Sequence, residues 1–194
     1  MKRLKIIVAV VLVAYFAFGF WGFSSSGLDQ KIIVEGFCVS KAENSNKAQT
    51  YDFALLNSEN SKTKSTVTLT ADDFNSACKK LREQTAGDPF FGQVQYVLVN
   101  DNLGYADIKE NLKYFSSKTI IPPGAAVFTV TQQLKKSYLK KGSDTRFYQA
   151  LSNMTAQSKS TLMAATTAVM ENKPGLLRLD ADANGEIKTE EYKR

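Results

Sequence analysis

The residues best suited to chemistry form a twelve-residue stretch, DADANGEIKTEE, which runs from Asp180 to Glu191. Its spacing matches the EF-hand calcium loop, in which oxygen ligands alternate around a tight turn with glycine at the sixth position. Gly185 stands at that position. The spacing therefore predicts a calcium site whose ligands are Asp180, Asp182, Asn184, Glu186 through its backbone carbonyl, and Glu191.

A β-hairpin is the alternative for the same residues. Asn184-Gly185 is a strong signal for a two-residue hairpin turn. Leu177 and Leu179 before this turn and Ile187 after it would suit two paired strands. The sequence also holds no second loop of this kind, although EF-hands normally occur in pairs. Calcium binding and the hairpin both stay open at this point.

Catalysis is not expected from this sequence. It contains no histidine, which removes Ser-His-Asp and Cys-His nucleophile systems and histidine-based zinc sites. Two pairs of adjacent carboxylates occur, Asp72-Asp73 and Glu190-Glu191. Neighbouring residues on a helix do not face one another, so neither pair of carboxylates is placed for general acid–base catalysis. We therefore predict a non-enzymatic protein.

The net charge of the chain bears on the kind of partner that it binds. The net charge is +6, and Lys2, Arg3 and Lys5 supply half of it, so the rest of the chain is only mildly basic. This weak positive charge argues against a nucleic-acid partner.

Cys38 and Cys78 are the only cysteines. They could form one disulfide in an oxidising compartment, or Cys78 could be a small buried hydrophobe.

A membrane anchor is predicted at the N-terminus. Residues Ile6 to Phe23 form an eighteen-residue apolar run without charge or proline. As a helix the run would span roughly 27 Å, close to the thickness of a hydrocarbon core. The cations before it and the aromatic residues at its far end predict a cytoplasmic N-terminus and an extracytoplasmic body. A cleaved signal peptide and a buried core helix are the alternatives.

The domain organisation follows from this anchor. We predict that residues 1–23 form the cytoplasmic tip and the transmembrane helix, and that residues 24–30 form a Ser/Gly linker. Residues 31–130 form a mixed α/β domain, 131–173 a helical segment, and 174–194 a C-terminal tail that carries the EF-hand-like loop. The expected location is a membrane, with a single span, and the expected partners are the lipid bilayer and other integral membrane proteins.

Hydrophobic periodicity predicts the elements of residues 31–130. The order is β-β-β-α-β-α-β, which favours an α+β (mixed α/β) fold with helices packed on a mixed sheet. Gly36 marks a bulge or a close approach in the first strand. Thr70 is the expected N-cap of the first helix. The predicted strands are Lys31–Val39, Thr50–Leu56, Ser65–Leu69, Val94–Val99 and Ala125–Val130, and the helices follow Thr70 and span Tyr105–Phe115.

Three further helices are predicted after the last of these strands, at Gln132–Lys141, Asp144–Met154 and Ser158–Glu171. The first carries a cluster of lysines, namely Lys135, Lys136, Lys140 and Lys141. Such a cluster is typical of a solvated helix end. Beside a bilayer it could also contact anionic headgroups.

Parts of the chain resemble the N-terminal domain of the spore germinant receptor C subunits. The likeness covers LDQKIIVEGF at Leu28–Phe37, the helix Ala71–Glu83 and FGQVQYVLVN at Phe91–Asn100. It continues through the helix that ends near Phe115 and the strand Ala125–Val130. The resemblance implies a non-enzymatic subunit on the outer face of a spore membrane, beside integral membrane proteins. Members of that family usually carry a lipid-modified cysteine, whereas this chain has a hydrophobic span.

Overall fold

The structure is a computed structural model. It describes residues 31–43, 45, 47–56, 64–117, 120–139, 151–156, 158–181 and 187–192. The predicted anchor and linker, residues 1–30, lie outside these ranges, so the anchor stays a prediction. Within the described ranges, no helix is long and apolar enough to cross a membrane.

The described chain begins with three consecutive strands, and helices and further strands follow. The strands are β1 (Lys31–Lys41), β2 (Gln49–Leu56), β3 (Lys64–Ala71), β4 (Asp88–Phe90), β5 (Tyr96–Asn100), β6 (Ala126–Val130), β7 (Leu177–Ala181) and β8 (Ile187–Glu191). The helices are α1 (Phe74–Thr85), α2 (Tyr105–Ser117), α3 (Gln132–Leu139) and α4 (Leu162–Met170). Residues 151–156 are also helical.

All of these strands belong to one mixed sheet with the order β3-β2-β1-β5-β6-β7-β8, and β4 pairs with β1 beside this path. Strands β1, β5, β6 and β7 are parallel neighbours. The pairs β1–β2, β2–β3 and β7–β8 are antiparallel. The predicted mixed sheet with helices packed on it is therefore confirmed, and it includes the parallel neighbours that the helical crossovers lead us to expect.

Each face of the sheet has its own hydrophobic core. On the first face, odd-numbered residues of β1, β2 and β5 meet the buried stripes of α1, α2 and α4. Phe37, Phe74 and Phe115 lie at its centre, and their ring centroids are 5.1–5.2 Å apart. On the second face, even-numbered residues of the same strands pack with Leu134 of α3 and with Leu151. The sheet is therefore covered on both sides, as a parallel centre requires.

Gly36 holds the close approach that its position in the sequence predicts. The register of β1 against β2 shifts between Val34 and Gly36, which is a β-bulge. A Cβ atom on Gly36 would clash with Cε2 of Tyr96 in the neighbouring strand β5. The prediction for this glycine is confirmed, because any side chain there would displace the tyrosine ring.

The first helix begins later than predicted. Asp73 is its N-cap, and the Asp73 carboxylate accepts a hydrogen bond from the backbone N–H of Ser76 at 2.8 Å. Thr70 instead pairs with Thr50 near the end of β3. The prediction of Thr70 as the cap is wrong, because the alternation of β3 continues to Ala71 and an aspartate with the right spacing follows it.

The C-terminal part returns to the sheet after its helices. Where the chain is described between 131 and 173, it forms α3, the helical residues 151–156 and α4. Beyond them, β7 adds to β6 in parallel and β8 closes that edge of the sheet. Residues from the predicted tail thus share one sheet with β1 to β6.

Candidate functional site

Two of the five predicted calcium ligands have described positions. Asp180 lies in β7, and Glu191 is the last residue of β8. Asp182, Asn184 and Glu186 lie outside the described residues. Calcium binding at this loop therefore stays a prediction.

The strands on either side of this loop pair as the hairpin alternative expects. Asp180 is opposite Lys188, whereas Glu191 is opposite Leu177. These two pairs are three positions apart along the hairpin, or roughly 10 Å at the usual rise of a strand. Within the described residues, no group of three or more His, Cys, Asp or Glu side chains is placed to hold a metal ion.

Arg178 ties β7 to its neighbours through carboxylates. Its Nη2 lies 3.4 Å from Oδ2 of Asp101 and 3.9 Å from Oδ2 of Asp180. Its Nε lies 3.8 Å from Oε1 of Glu190 in β8. The side chain is about one-third exposed, so solvent screens these charges, and we attribute a local positioning role to them.

A polar cluster lies on the second face of the sheet, and its members are the buried residues Ser40, Asp52 and Lys135 and the exposed residue Thr68. Asp52 is fully buried, and its Oδ1 accepts a hydrogen bond from Oγ1 of Thr68 at 2.7 Å. Lys135 Nζ lies 3.4 Å from Oδ2 of Asp52 and also donates a hydrogen bond to Oγ of Ser40. The cluster thus joins α3 to the three strands β1, β2 and β3.

The cluster brings a serine and a lysine together, which is a nucleophile–base arrangement in some hydrolases. Catalysis would need access of a substrate carbonyl to the serine oxygen. Ser40 is fully buried, and Lys135 is only 8% exposed. The charge of Lys135 is also balanced by Asp52. The geometry therefore supports a structural role, in which the buried pair fixes the position of α3 on the sheet.

This position corrects the interpretation of the lysine cluster. Lys135 is neither solvated nor available to lipid headgroups, because its ammonium group points into the second face. Lys136 is exposed, as predicted. Lys140 and Lys141 lie outside the described residues. The two members of the pair are far apart in the chain, so no local sequence pattern identifies Lys135 as the partner of Asp52.

Both cysteines are free thiols. Cys38 is fully buried opposite Asp52, and burial, with a smaller contribution from the Asp52 charge, raises its pKa far above the usual range. Burial also raises the pKa of Cys78 to about 12, with a smaller effect of Asp73. Neither thiol is suited to act as a nucleophile at neutral pH, since reactive cysteines have lowered pKa values.

A groove of about 460 Å³ runs beside α1, and we call it the α1 groove. Its lining is mainly apolar and includes Cys78 and Phe90. Ile120 also lines it, and this side chain is 46% exposed. Asn75 and two cations of α1, Lys79 and Arg82, are also part of the lining. A second groove, of about 370 Å³, lies beside Tyr105 and Tyr192.

The α1 groove combines an exposed apolar surface with positive charge. Arg82 Nε already contacts Oδ1 of Asp88 at 2.7 Å, so Lys79 is the cation better placed for a ligand. Such a surface suits an apolar side chain that lies next to an acidic group. The sequence analysis did not predict this groove. A signal was present, because two large apolar side chains, Phe90 and Phe91, directly follow Pro89.

Comparison with known proteins gives one family. The family model described as the spore germination protein N-terminal domain matches residues 24–171. No curated protein and no solved structure gives a significant match. The family match confirms the resemblance that the sequence segments between Leu28 and Val130 carry, and it extends beyond them into α4.

Proposed function

The chain belongs to the spore germination protein N-terminal domain family, and from this premise we propose that it is a non-enzymatic, germinant-receptor-like subunit of a membrane complex. The observation that carries the proposal is the family match, which covers residues 24–171. The absence of histidine from the sequence and the burial of Ser40 agree with a role in binding rather than in catalysis.

We propose that the apolar run Ile6–Phe23 holds this subunit in the membrane with its folded body outside the cytoplasm. The support is the length of the run, the cations before it and the aromatic residues at its end. A subunit held in this way meets its partners within the plane of the bilayer. Other integral membrane proteins are therefore the expected partners.

The α1 groove is the surface that we propose for contact with another subunit. Ile120 is exposed beside Phe90 and Pro89, and large exposed apolar side chains often mark protein contacts. Lys79 lies on the same groove and would favour a partner with an acidic residue next to its apolar anchor. Burial of one apolar anchor in such a contact contributes roughly 2 kcal/mol.

The test is co-purification of the full chain and its variants from spore membranes. We expect Ile120→Asp to reduce the recovered partner at least tenfold, because it places a charge in an apolar contact. Met163→Asp is the matched control, since Met163 is an apolar side chain on α4 that is 60% exposed. Equal loss in both variants, or in neither, would contradict the proposed contact surface.

A further inference from the structure

The parallel strands give the folded body two distinct ends. Strands β1, β5, β6 and β7 run in the same direction, so their first residues lie towards one end of the sheet, which we call the amino end. Their last residues lie towards the opposite end, which we call the carboxyl end. Residues 24–30 precede the first residue of β1, so the chain enters the sheet at the amino end. The two ends differ in charge and in exposed apolar surface.

Acidic side chains are concentrated at the carboxyl end. Asp101 directly follows β5, and Asp107 lies in the first turn of α2, which begins beyond that strand. Asp180 of β7 lies one position past Leu179, which pairs with the last residue of β6. The connections after β1 and β3 add three exposed carboxylates, namely Glu43, Asp72 and Asp73. The surface of a bilayer that contains anionic lipids would repel this end.

The amino end instead presents apolar residues on a backbone that hydrogen bonds hold in place. Residues 120–130, which lead into β6 and form it, contain no charged residue. The backbone N–H of Met163, at the start of α4, donates a hydrogen bond to the carbonyl oxygen of Pro123 at 3.2 Å. Met163 is 60% exposed, and Pro123 is exposed as well. Exposed apolar surface of this kind marks contacts with proteins or with membranes.

A positive charge accompanies this apolar surface. Lys159 is exposed, and it precedes Ser160, whose carbonyl oxygen accepts a hydrogen bond from the backbone of β6 at 2.7 Å. Glu83 and Asp88 also lie near the amino end, and Arg82 Nε contacts the Asp88 carboxylate at 2.7 Å. A lysine close to a membrane surface is attracted to anionic headgroups. Lys159 therefore favours lipid as the partner of this end.

Helix α4 runs from the amino end towards the carboxyl end. The backbone N–H of Leu162, its first residue, donates a hydrogen bond to the carbonyl oxygen of Ala125 at 2.7 Å, just before β6 begins. Near the other end of α4, the carbonyl oxygen of Val169 accepts a hydrogen bond from the hydroxyl of Tyr105 at 3.1 Å. Tyr105 begins α2, beyond the carboxyl end of β5. Successive turns of α4 therefore lie at increasing distances from the amino end.

We propose that the amino end is a lipid-contact surface, at which Met163 and Pro123 enter the interfacial region of the bilayer and Lys159 contacts anionic headgroups. The inference rests on the proposed membrane anchor. Residues 24–30 can span at most about 25 Å, so the start of β1 stays within that distance of the hydrocarbon. Strand β1 has 11 residues and is roughly 36 Å long, so the acidic carboxyl end can lie well away from the anionic surface.

Fluorescence quenching tests the contact in the full chain, reconstituted in vesicles of equal parts phosphatidylcholine and phosphatidylglycerol. The labelled variant is Met163→Cys with Cys78→Ser, because only Cys38, which is fully buried, then remains as a native thiol. The matched control is Met170→Cys in the same background, since Met170 is an exposed methionine of the same helix about 10 Å further from the amino end. With nitroxide-labelled headgroups we expect roughly threefold stronger quenching at position 163, because that label lies in the headgroup layer. Equal quenching at both positions, or stronger quenching at 170, would overturn the proposal.

Flotation of the same vesicles separates this inference from the proposed anchor. A chain that does not float with the vesicles contradicts the anchor, and the lipid contact fails with it. A chain that floats and shows equal quenching at both positions keeps the anchor and loses the lipid-contact surface. Met163→Asp still serves as the control for the subunit contact, because co-purification in detergent removes the bilayer and Met163 is not part of the lining of the α1 groove.

Charge reversal at Lys159 tests the headgroup contact separately. We expect Lys159→Glu to reduce the quenching at position 163 roughly twofold in these vesicles and to leave it unchanged in phosphatidylcholine alone. Lys136→Glu is the matched control, because this exposed lysine lies on α3, which follows the carboxyl end of β6. The same effect for both reversals, or a loss of quenching in phosphatidylcholine alone, would contradict a contact between Lys159 and anionic lipid.

Discussion

Replacement of Lys135 by methionine would leave the carboxylate of Asp52 buried without its ionic partner. The distance from Lys135 Nζ to Asp52 Oδ2 is 3.4 Å, and Asp52 is fully buried. With an effective dielectric constant of about 20, two unit charges at this distance attract by about 5 kcal/mol. Removal of one partner from a buried pair typically costs about 3–5 kcal/mol, because the remaining charge has lost its compensation.

The assay is urea unfolding followed by circular dichroism. With a slope of about 2 kcal/mol per molar urea, we expect the midpoint of Lys135→Met to fall by about 2 M. Lys136→Met is the matched control, because the neighbouring lysine is exposed, and we expect its unfolding free energy to stay within about 0.5 kcal/mol. If Lys135→Met unfolds at the same urea concentration as the control, the pair does not hold α3 on the sheet.

Three further predictions concern the close approach, the thiols and the loop. Gly36→Ala should cost roughly 1–3 kcal/mol of unfolding free energy because its Cβ would meet the Tyr96 ring, whereas Gly124→Ala, with no atom within 4 Å of its added Cβ, should be nearly neutral in urea unfolding. The raised pKa of Cys38 means that the unfolded chain loses this proton first as the pH rises above 9.0, so stability should fall with a slope that approaches about 1.4 kcal/mol per pH unit well above that pH. Cys38→Ala should remove that part of the slope, and equal slopes in urea titrations between pH 9.5 and 11 would contradict it. If the Asp180–Glu191 loop binds calcium, calorimetry at millimolar calcium should give heat that Asp180→Ala abolishes; the absence of heat in the native chain removes the site.

Local patterns predicted most of the sheet, because strands and amphipathic helices leave a periodic signal. The alternation in β1, the apolar run of β5 and the stripe of α2 all correspond to elements of the structure. The boundary at Thr70 was wrong because two polar residues compete for the cap, and only the tertiary pairing of β3 with β2 decides between them. Strand β4 was not predicted, since Pro89 within it weakens the strand signal.

The candidate sites depended on contacts between distant residues, so the sequence indicated them poorly. Lys135 belongs to a helix that is rich in lysine, and no neighbouring residue indicated that its ammonium group would be buried beside the Asp52 carboxylate. A signal did exist, because Asp52 is a single carboxylate in an apolar strand, and such a residue needs a partner. The α1 groove combines α1 with residues 89–92 and Ile120, and no local pattern records that combination.

The most direct test of the central claim is the fractionation of spores, followed by purification of the native chain with its partners. We predict that the chain stays in the membrane fraction after an alkaline carbonate wash, which removes peripheral proteins, and that integral membrane proteins co-purify with it in mild detergent. Recovery of the chain in the soluble fraction, without membrane partners, would contradict its assignment as a subunit of a membrane complex.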